Sequence, residues 1–171
     1  GGTFNDAAGN DNTAAAPLSL NVNTVVTDTV APTIVISRSN EATLGVGATA
    51  ALTFTLSEAS SDFSFEDISL TGGTLSGFAG SGASYSATFT PSATSTANGV
   101  VSVADTKFAN AAGNFNADGS DANNTVTMTV NTIRPTIAVT STATALKAGE
   151  TATITFTLSE AATDFILDDV T

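Results

Sequence analysis

Residues 50–59 read AALTFTLSEA, and along this stretch apolar and polar side chains alternate. Ala50, Leu52, Phe54 and Leu56 share one face, and the residues between them take the other. This period of two predicts a half-buried β-strand, in which successive side chains point to opposite faces. The chain also contains 31 Thr among its 171 residues. Because β-branched residues favour strands, we expect an all-β protein.

The same stretch returns later in the chain. TFTLSEA at 53–59 recurs at 155–161, and FNDAAGNDN at 4–12 recurs as FANAAGNFN at 108–116. A period of about 100 residues is the size of a whole domain. We therefore expect a window on a tandem array, with the end of one unit at 1–30, a complete unit at 31–133 and the beginning of a third at 134–171.

Within the complete unit the pattern indicates seven short strands separated by glycine-rich turns, one of them at 77–82. The strands are expected around Ile34 and Ile36, Ala50 to Leu56, Phe63 and Phe65, Ile68 and Leu70, Tyr85 to Phe89, Val101 and Val103, and Val126 to Val130. About seven strands with turns at this spacing are typical of an immunoglobulin-like antiparallel β-sandwich.

The composition excludes most enzyme chemistry. The chain carries 16 Asp and Glu against 4 Lys and Arg, a net charge of -12, and contains neither Cys nor His. It therefore lacks a Ser-His triad, a thiol nucleophile and any imidazole or thiolate metal ligand. An acidic surface repels phosphate, and no apolar run reaches the length of a membrane span. We predict no enzyme activity, no nucleic-acid partner and no direct membrane insertion.

Several phrases resemble a known family. TFTLSEA-x-x-DF, F-x-x-AAGN, DTVAPT and SATFTP resemble the bacterial Ig-like repeats of large secreted adhesins and biofilm-associated surface proteins. The resemblance extends over essentially the whole chain. It implies tandem Ig-like domains, secreted or on the bacterial cell surface, in a calcium-stiffened stalk whose partners are the neighbouring repeats. The first copy departs from the second by lacking the NADGSD insertion at 116–121.

Acidic and amide side chains concentrate at one predicted end of the complete unit. In the Ig strand order, the loops at 57–62 and 109–124 and the incoming linker meet at this end. Glu58 continues the core-facing register of the second strand, and a carboxylate that turns inward needs a partner. Only Arg38 and Lys107 are basic in this unit, so a bound cation is the simpler partner. Alternatively, Glu58 turns to solvent or accepts backbone N–H bonds across its loop.

The longer loop adds a partial calcium motif. Residues 114–121 read NFNADGSD, with the alternating oxygen ligands and the glycine of an EF-type loop, although Thr125 stands where the bidentate Glu belongs. The alternative is an Asx-rich turn region that bonds to its own backbone. Oxygen ligands on a flexible loop favour Ca²⁺ over Zn²⁺ or Mg²⁺.

We therefore predict Ca²⁺ as a cofactor. The expected ligands at this pole are Asp28, Glu58, Asp62, Asn114, Asn116, Asp118 and Asp121, with Asn110 converging on them and Glu160 and Asp164 as their equivalents in the next unit. Secondary candidates are Asp67 and Asp169, expected at the opposite pole, and Asn10 in the first copy.

Repetition favours a structural role over a chemical one. The leading hypothesis is an extender segment of a bacterial surface adhesin that supports adhesion or biofilm formation. The alternative is a carbohydrate- or protein-binding Ig-like module, which requires exposed aromatic side chains. Phe78 and Phe115 are the two that lie off the core registers. A third interpretation explains the acidity as adaptation to salt and leaves the architecture unchanged.

Overall fold

The computed structural model describes residues 4–13, 15–22, 27–39 and 42–171, and these residues form strands, turns and loops. The strands are β1 (Ile34–Arg38), β2 (Ala50–Ser60), β3 (Ile68–Thr71), β4 (Gly73–Pro91), β5 (Gly99–Val103), β6 (Thr125–Met128), β7 (Ile137–Ser141) and β8 (Ile154–Leu158). Three single-turn 3₁₀ helices lie at Phe65–Asp67, Ala122–Asn124 and Leu167–Asp169. Every pair of these strands is antiparallel, so the all-β prediction is confirmed.

The complete unit consists of two sheets, ordered β1-β2-β4 and β3-β5-β6. A straight β4 of 19 residues would be about 60 Å long. Instead β4 folds back on itself: Phe78 stacks on Tyr85, with ring centroids 5.7 Å apart, and a Cβ on Gly80 would collide with the Tyr85 backbone. The second arm, 84–91, pairs with β2, so the first arm, 73–80, is a further strand. Four strands facing three in this order make the predicted seven-strand immunoglobulin-like sandwich.

The core lies between the two sheets. Burial along β2 alternates as the period of two predicts, and Leu52 and Phe54 are fully buried. Phe63 is the centre of an aromatic group, since its ring lies 5.0 Å from Tyr85 and 5.4 Å from Phe108. The core consists of Ile34, Ile36, Leu44, Ala50, Leu52, Phe54, Leu56, Phe63, Tyr85, Ala87, Phe89, Val101, Val103, Phe108, Met128 and Val130.

The predicted strand at Phe63 and Phe65 is wrong. Phe63 is buried, but it lies in a loop, and Phe65 begins a 3₁₀ turn. The Asp67 carboxylate accepts bonds from the Ser64 backbone N–H and hydroxyl at 2.8 and 2.9 Å, which closes the turn. Two phenylalanines separated by one residue imitate strand alternation, but here local side-chain bonding decides the backbone.

The predicted position of Asp67 and Asp169 is also corrected. Because Asp67 precedes β3, it lies at the same pole as the end of β2, not at the opposite one. Asp169 occupies the corresponding turn of the third unit, where it accepts the Ile166 N–H at 2.9 Å. Conversely, the strand at 73–80 was not predicted, because three of its residues are glycine and indicated a turn.

The flanking copies repeat the local structure of the complete unit. β7 pairs with β8 in the register of β1 with β2, so that Ile137 faces Leu158 as Ile34 faces Leu56. The side chains are covered differently, however: Ile137 is 48% exposed, whereas Ile34 is fully buried.

Candidate functional site

The predicted polar end of the complete unit exists, and we call it the linker pole. It comprises the end of β2, the connection 104–124 between β5 and β6, and the incoming linker residues 27–33. An isolated bridge pairs Ser60 with Asn110, and the Asp62 carboxylate accepts the Ala109 N–H at 3.0 Å. Segments far apart in sequence therefore meet here through defined hydrogen bonds.

The Asn110 side chain holds three of these segments together. Its Nδ2 donates to Glu58 Oε2 at 2.8 Å, to Asp28 Oδ2 at 2.9 Å and to the Val30 carbonyl at 3.2 Å. Its Oδ1 accepts the backbone N–H groups of Ala112 and Asn114 at 3.1 and 3.0 Å, which fixes the orientation of the amide. An amide nitrogen has two hydrogens, so these three acceptor oxygens share two N–H groups.

Glu58 reaches this point because β2 is irregular at its end. The pairing of β2 with β4 shifts register between Thr55 and Ser60, and such bulges redirect side chains. Glu58 is half-buried, and the partner that its inward direction requires is the Asn110 amide.

Asp28 fixes the linker itself. Its Oδ1 accepts the Val30 N–H at 3.0 Å, its Oδ2 accepts from Asn110, and its carbonyl accepts from Asn114 Nδ2 at 3.0 Å. Asp28, Glu58 and Asn114 are thus three predicted ligands that the structure brings together.

Asp62 lies at the same pole but makes separate contacts. It accepts the Ser60 hydroxyl and the Ala109 N–H. Burial raises its pKa, but these hydrogen bonds together outweigh burial and lower the pKa below the ordinary 3.8. The neighbouring Tyr85 donates its hydroxyl to the Ser60 carbonyl at 3.1 Å. Burial, and then the Asp62 charge, raises the pKa of Tyr85 above 10.0.

Asn116 and Asp118 lie deeper, at the base of the long connection. Asn116 is fully buried, and its Oδ1 accepts the Lys107 N–H at 2.7 Å. Asp118 is 7% exposed and accepts the Ile34 N–H at 2.7 Å, which ties the connection to β1. Asn124 donates to the Asp118 carbonyl at 2.6 Å. These side chains hydrogen-bond to the protein's own backbone, which is what the alternative interpretation of the loop, an Asx-rich turn region, describes.

The remaining predicted residues are spread over the molecule. Asp121 and Asp164 are exposed, and Asp67 and Asp169 close 3₁₀ turns. Glu160 accepts from Asn131 Nδ2 at 3.2 Å. Asn10 donates to Asp6 at 2.9 Å.

Sequence reasoning placed Asn110 at this pole but did not identify it as the central residue. The available signal is its position at the start of the NAAGN motif, where an Asx side chain accepts the N–H groups two and four residues on.

Several oxygen atoms of the pole converge on the Asn110 side-chain nitrogen. Two carboxylate oxygens and a carbonyl oxygen lie within 3.2 Å of the Asn110 nitrogen, and such oxygens are the ligands that Ca²⁺ takes. In the described part of the chain, no three Asp or Glu side chains are close enough together to hold a metal. A cation here would therefore draw on amide and carbonyl oxygens or water as well.

A cavity of about 570 Å³ lies at the other pole. Its lining includes the β4–β5 connection and the outgoing linker, and Arg134 is its one ionisable residue. This lining offers no acid–base pair.

Comparison with known proteins places these observations in a family. A family model described as a bacterial Ig-like domain matches residues 28–129 and again residues 131–171. Domains of this kind are typically structural modules, and they are usually extracellular parts of surface proteins. No curated protein and no solved structure matches the chain. Over the described residues, the structure contains no helix of the length and apolarity that crossing a membrane requires.

Proposed function

Because the chain belongs to the bacterial Ig-like domain family, we propose that it is an extender segment of a bacterial surface adhesin. Its repeats would act as spacers that hold an adhesive region away from the cell and support adhesion or biofilm formation. The partners in this role are the neighbouring repeats of the same chain.

The observation that carries this proposal is that the chain enters and leaves the complete unit at opposite poles. The incoming linker is bonded at the end of β2 through Asp28 and Asn110. The outgoing linker is bonded at the β4–β5 connection, where Thr132 exchanges hydrogen bonds with Ser95 and donates to the Ser92 carbonyl at 2.7 Å. Units joined in this way add their lengths instead of packing side by side.

The length added by each unit gives a direct test. A strand of 11 residues, as in β2, rises about 35 Å. Small-angle scattering on the chain, and on chains with one or two further copies of residues 31–133, should show the maximum dimension growing by about 35 Å per copy. A maximum dimension that grows only as the cube root of chain length would contradict an extender.

We further propose that Ca²⁺ binds at the linker pole and stiffens the joint. Asp28 and Glu58 lie on different segments, and both accept from Asn110 Nδ2. A cation that displaces this amide nitrogen and binds both carboxylates would bridge the linker and the sandwich. Extracellular calcium-binding modules have Kd values on the order of 10⁻⁴–10⁻³ M, and we expect the same range here. At tenfold excess over Kd, binding adds about 1.4 kcal/mol to the free energy of unfolding.

A calcium titration followed by NMR tests this second proposal. Cross-peaks of residues 28–30 and 110–114 should shift with Ca²⁺, and the double variant Asp28→Asn, Glu58→Gln should abolish the shift. The matched control, Glu150→Gln with Asp168→Asn, removes two exposed carboxylates of the third copy, away from this pole, and should bind like the wild type. If the control variant loses the Ca²⁺-induced shifts as well, the shifts reflect a diffuse counterion effect. If Ca²⁺ leaves the wild-type spectra unchanged, there is no calcium site at this pole.

The binding-module alternative finds less support in the contacts. Phe78 packs against the core and stacks on Tyr85, so it does not present a free face. Phe115 is 54% exposed and Phe65 is 45% exposed at the linker pole. The Phe65 ring packs edge-on against Phe78, which leaves these two rings as a small platform for a sugar or a protein. We therefore retain the extender as the proposed function.

A further inference from the structure

The two linkers are fastened to the sandwich in chemically related ways. Each Glu near the end of a second strand accepts a hydrogen bond from an Asn side-chain amide. Glu58 accepts from Asn110 in the connecting loop, and Glu160 accepts from Asn131 in the linker itself. Asp28 and Asn131 occupy the same linker position, four residues before a proline. At both joints the bond is therefore an amide N–H to a carboxylate.

We propose that the Asn110 amide is the latch that fixes the incoming linker to the end of β2, and that a repeat carrying Asp at this position lacks the latch. The proposal rests on the proposed function, because a latch at the joint has a purpose only in an extended array. It makes the stiffness of the incoming joint depend on the identity of residue 110.

The first copy shows the exchange that the proposal concerns. Asp6 stands at the position of Asn110 in the repeated motif. Its Oδ1 accepts the N–H groups of Ala8 and Asn10 at 2.9 Å, just as Asn110 Oδ1 accepts those of Ala112 and Asn114. The local turn therefore forms with either residue.

The second atom of the side chain is what differs. In Asn110 it is a nitrogen that donates to Asp28, Glu58 and the Val30 carbonyl. In an Asp it is an oxygen, which has no hydrogen to donate and would bring a third negative charge to within about 3 Å of two carboxylates. The linker would then be repelled from the end of β2 while the turn remains intact.

The test compares wild type, Asn110→Asp and the matched control Asn123→Asp in the complete 171-residue chain. Asn123 is an exposed residue of the same connection, so the control adds the same charge away from the latch. Order parameters from ¹⁵N relaxation are measured for residues 27–31 and for the turn 111–114. All samples contain EDTA, so the result does not depend on the calcium proposal.

The expected result is specific to the linker. Order parameters at 27–31 should be near 0.85 in wild type and control and should fall below about 0.6 in Asn110→Asp, with the turn unchanged. A linker that stays ordered in Asn110→Asp, or that is already mobile in the wild type, would overturn the latch.

Scattering separates this outcome from the proposed function. If the maximum dimension grows with added copies but the order parameters of the linker do not change in Asn110→Asp, the latch proposal is wrong and the extender proposal is kept. If the order parameters of the linker fall in Asn110→Asp but added copies do not lengthen the molecule, the extender proposal is wrong, whereas the Asn110 contact with the linker is supported.

Discussion

At the scale of single residues, the linker pole depends on which polar atoms donate and which accept. Glu58 and Asp28 are acceptors, and Asn110 supplies the N–H groups between them. Asp118 is a nearly buried carboxylate that accepts from the Ile34 backbone and the Asn116 amide. In an acidic chain with few basic residues, amides and backbone N–H groups do much of the pairing that lysine and arginine do elsewhere.

Asp62 makes the stability of the complete unit depend on pH. Its pKa in the folded state lies below 3.8, so the charged form contributes stability that is present above pH 3.8 and is lost as pH falls through the lowered pKa. In urea titrations at pH 7, the free energy of unfolding should be larger for the wild type than for Asp62→Asn. This difference should shrink below about pH 4. A difference that grows on acidification would contradict this sign.

Two phenylalanines at the same repeat position should differ in their effect on the complete unit. Phe54 is fully buried, whereas Phe156 is half-buried in the third copy. Phe54→Ala should lower the free energy of unfolding of the complete unit by about 3–5 kcal/mol. Phe156→Ala should leave that unit within about 0.5 kcal/mol of wild type. Equal effects in urea titrations would show that the two copies unfold as one body.

At the scale of elements, β4 is the segment that the sequence pattern described least well. Glycines at 77, 80 and 82 have positive φ and let the strand reverse within a few residues. Its two arms then complete the sheet that β2 begins. This segment has the glycine-rich composition of a turn but the extended conformation of a strand, because the hairpin is tight and its two arms pair right up to the bend.

Two glycines in β4 test this arrangement. Gly80 has φ +142° and a Cβ there would meet the Ser84 carbonyl and the Tyr85 backbone, whereas Gly77 has φ +63° and open space. Gly77→Ala should cost about 1 kcal/mol through backbone strain alone. Gly80→Ala adds steric overlap and should cost about 3 kcal/mol. Circular dichroism melts would contradict the hairpin if the two variants were equally stable.

At the scale of the whole molecule, the arrangement of the two linkers matters most. One linker is bonded beside the end of β2 and the other beside the β4–β5 connection, so each unit has an entrance and an exit at opposite poles. Both wide faces expose mainly Ser and Thr, as the outward residues of β2 illustrate, and the acids gather near the linker pole. The poles therefore carry the contacts that can differ from joint to joint.

The exit contact can be weakened by one substitution. Thr132 is 7% exposed, and its hydroxyl accepts the Ser95 N–H at 2.9 Å and donates to Ser92. Thr132→Val leaves these backbone groups without that partner and should lower the free energy of unfolding by about 1–3 kcal/mol. Thr125→Val, on an exposed β6 position, is the matched control and should change it by less than about 0.5 kcal/mol. Equal losses in both variants would show that the hydroxyl contact is not responsible.

Much of the sandwich could be predicted from local patterns. The buried face of β2 follows from apolar alternation, because a strand buries every second side chain. The same pairing of Ile34 with Leu56 and of Ile137 with Leu158 accompanies the repeated sequence. The turn of the AAGN motif repeats for a similar reason, since an Asx side chain and a glycine within five residues contain all of its bonds.

By itself, then, the sequence determined the fold class, the repeat and the faces of its main strands, because these depend on neighbours a few residues apart. The tertiary structure alone decided that Phe63 fills the core from a loop, that 73–80 is a strand and that Asn110 contacts Asp28, 82 residues away. A polar side chain has several acceptors within reach of its rotamers, and only the convergence of distant loops selects among them. The alternation of apolar residues therefore predicts which side chains are buried, whereas the hydrogen-bond partners at the linker pole are determined only once the loops and the linker have come together.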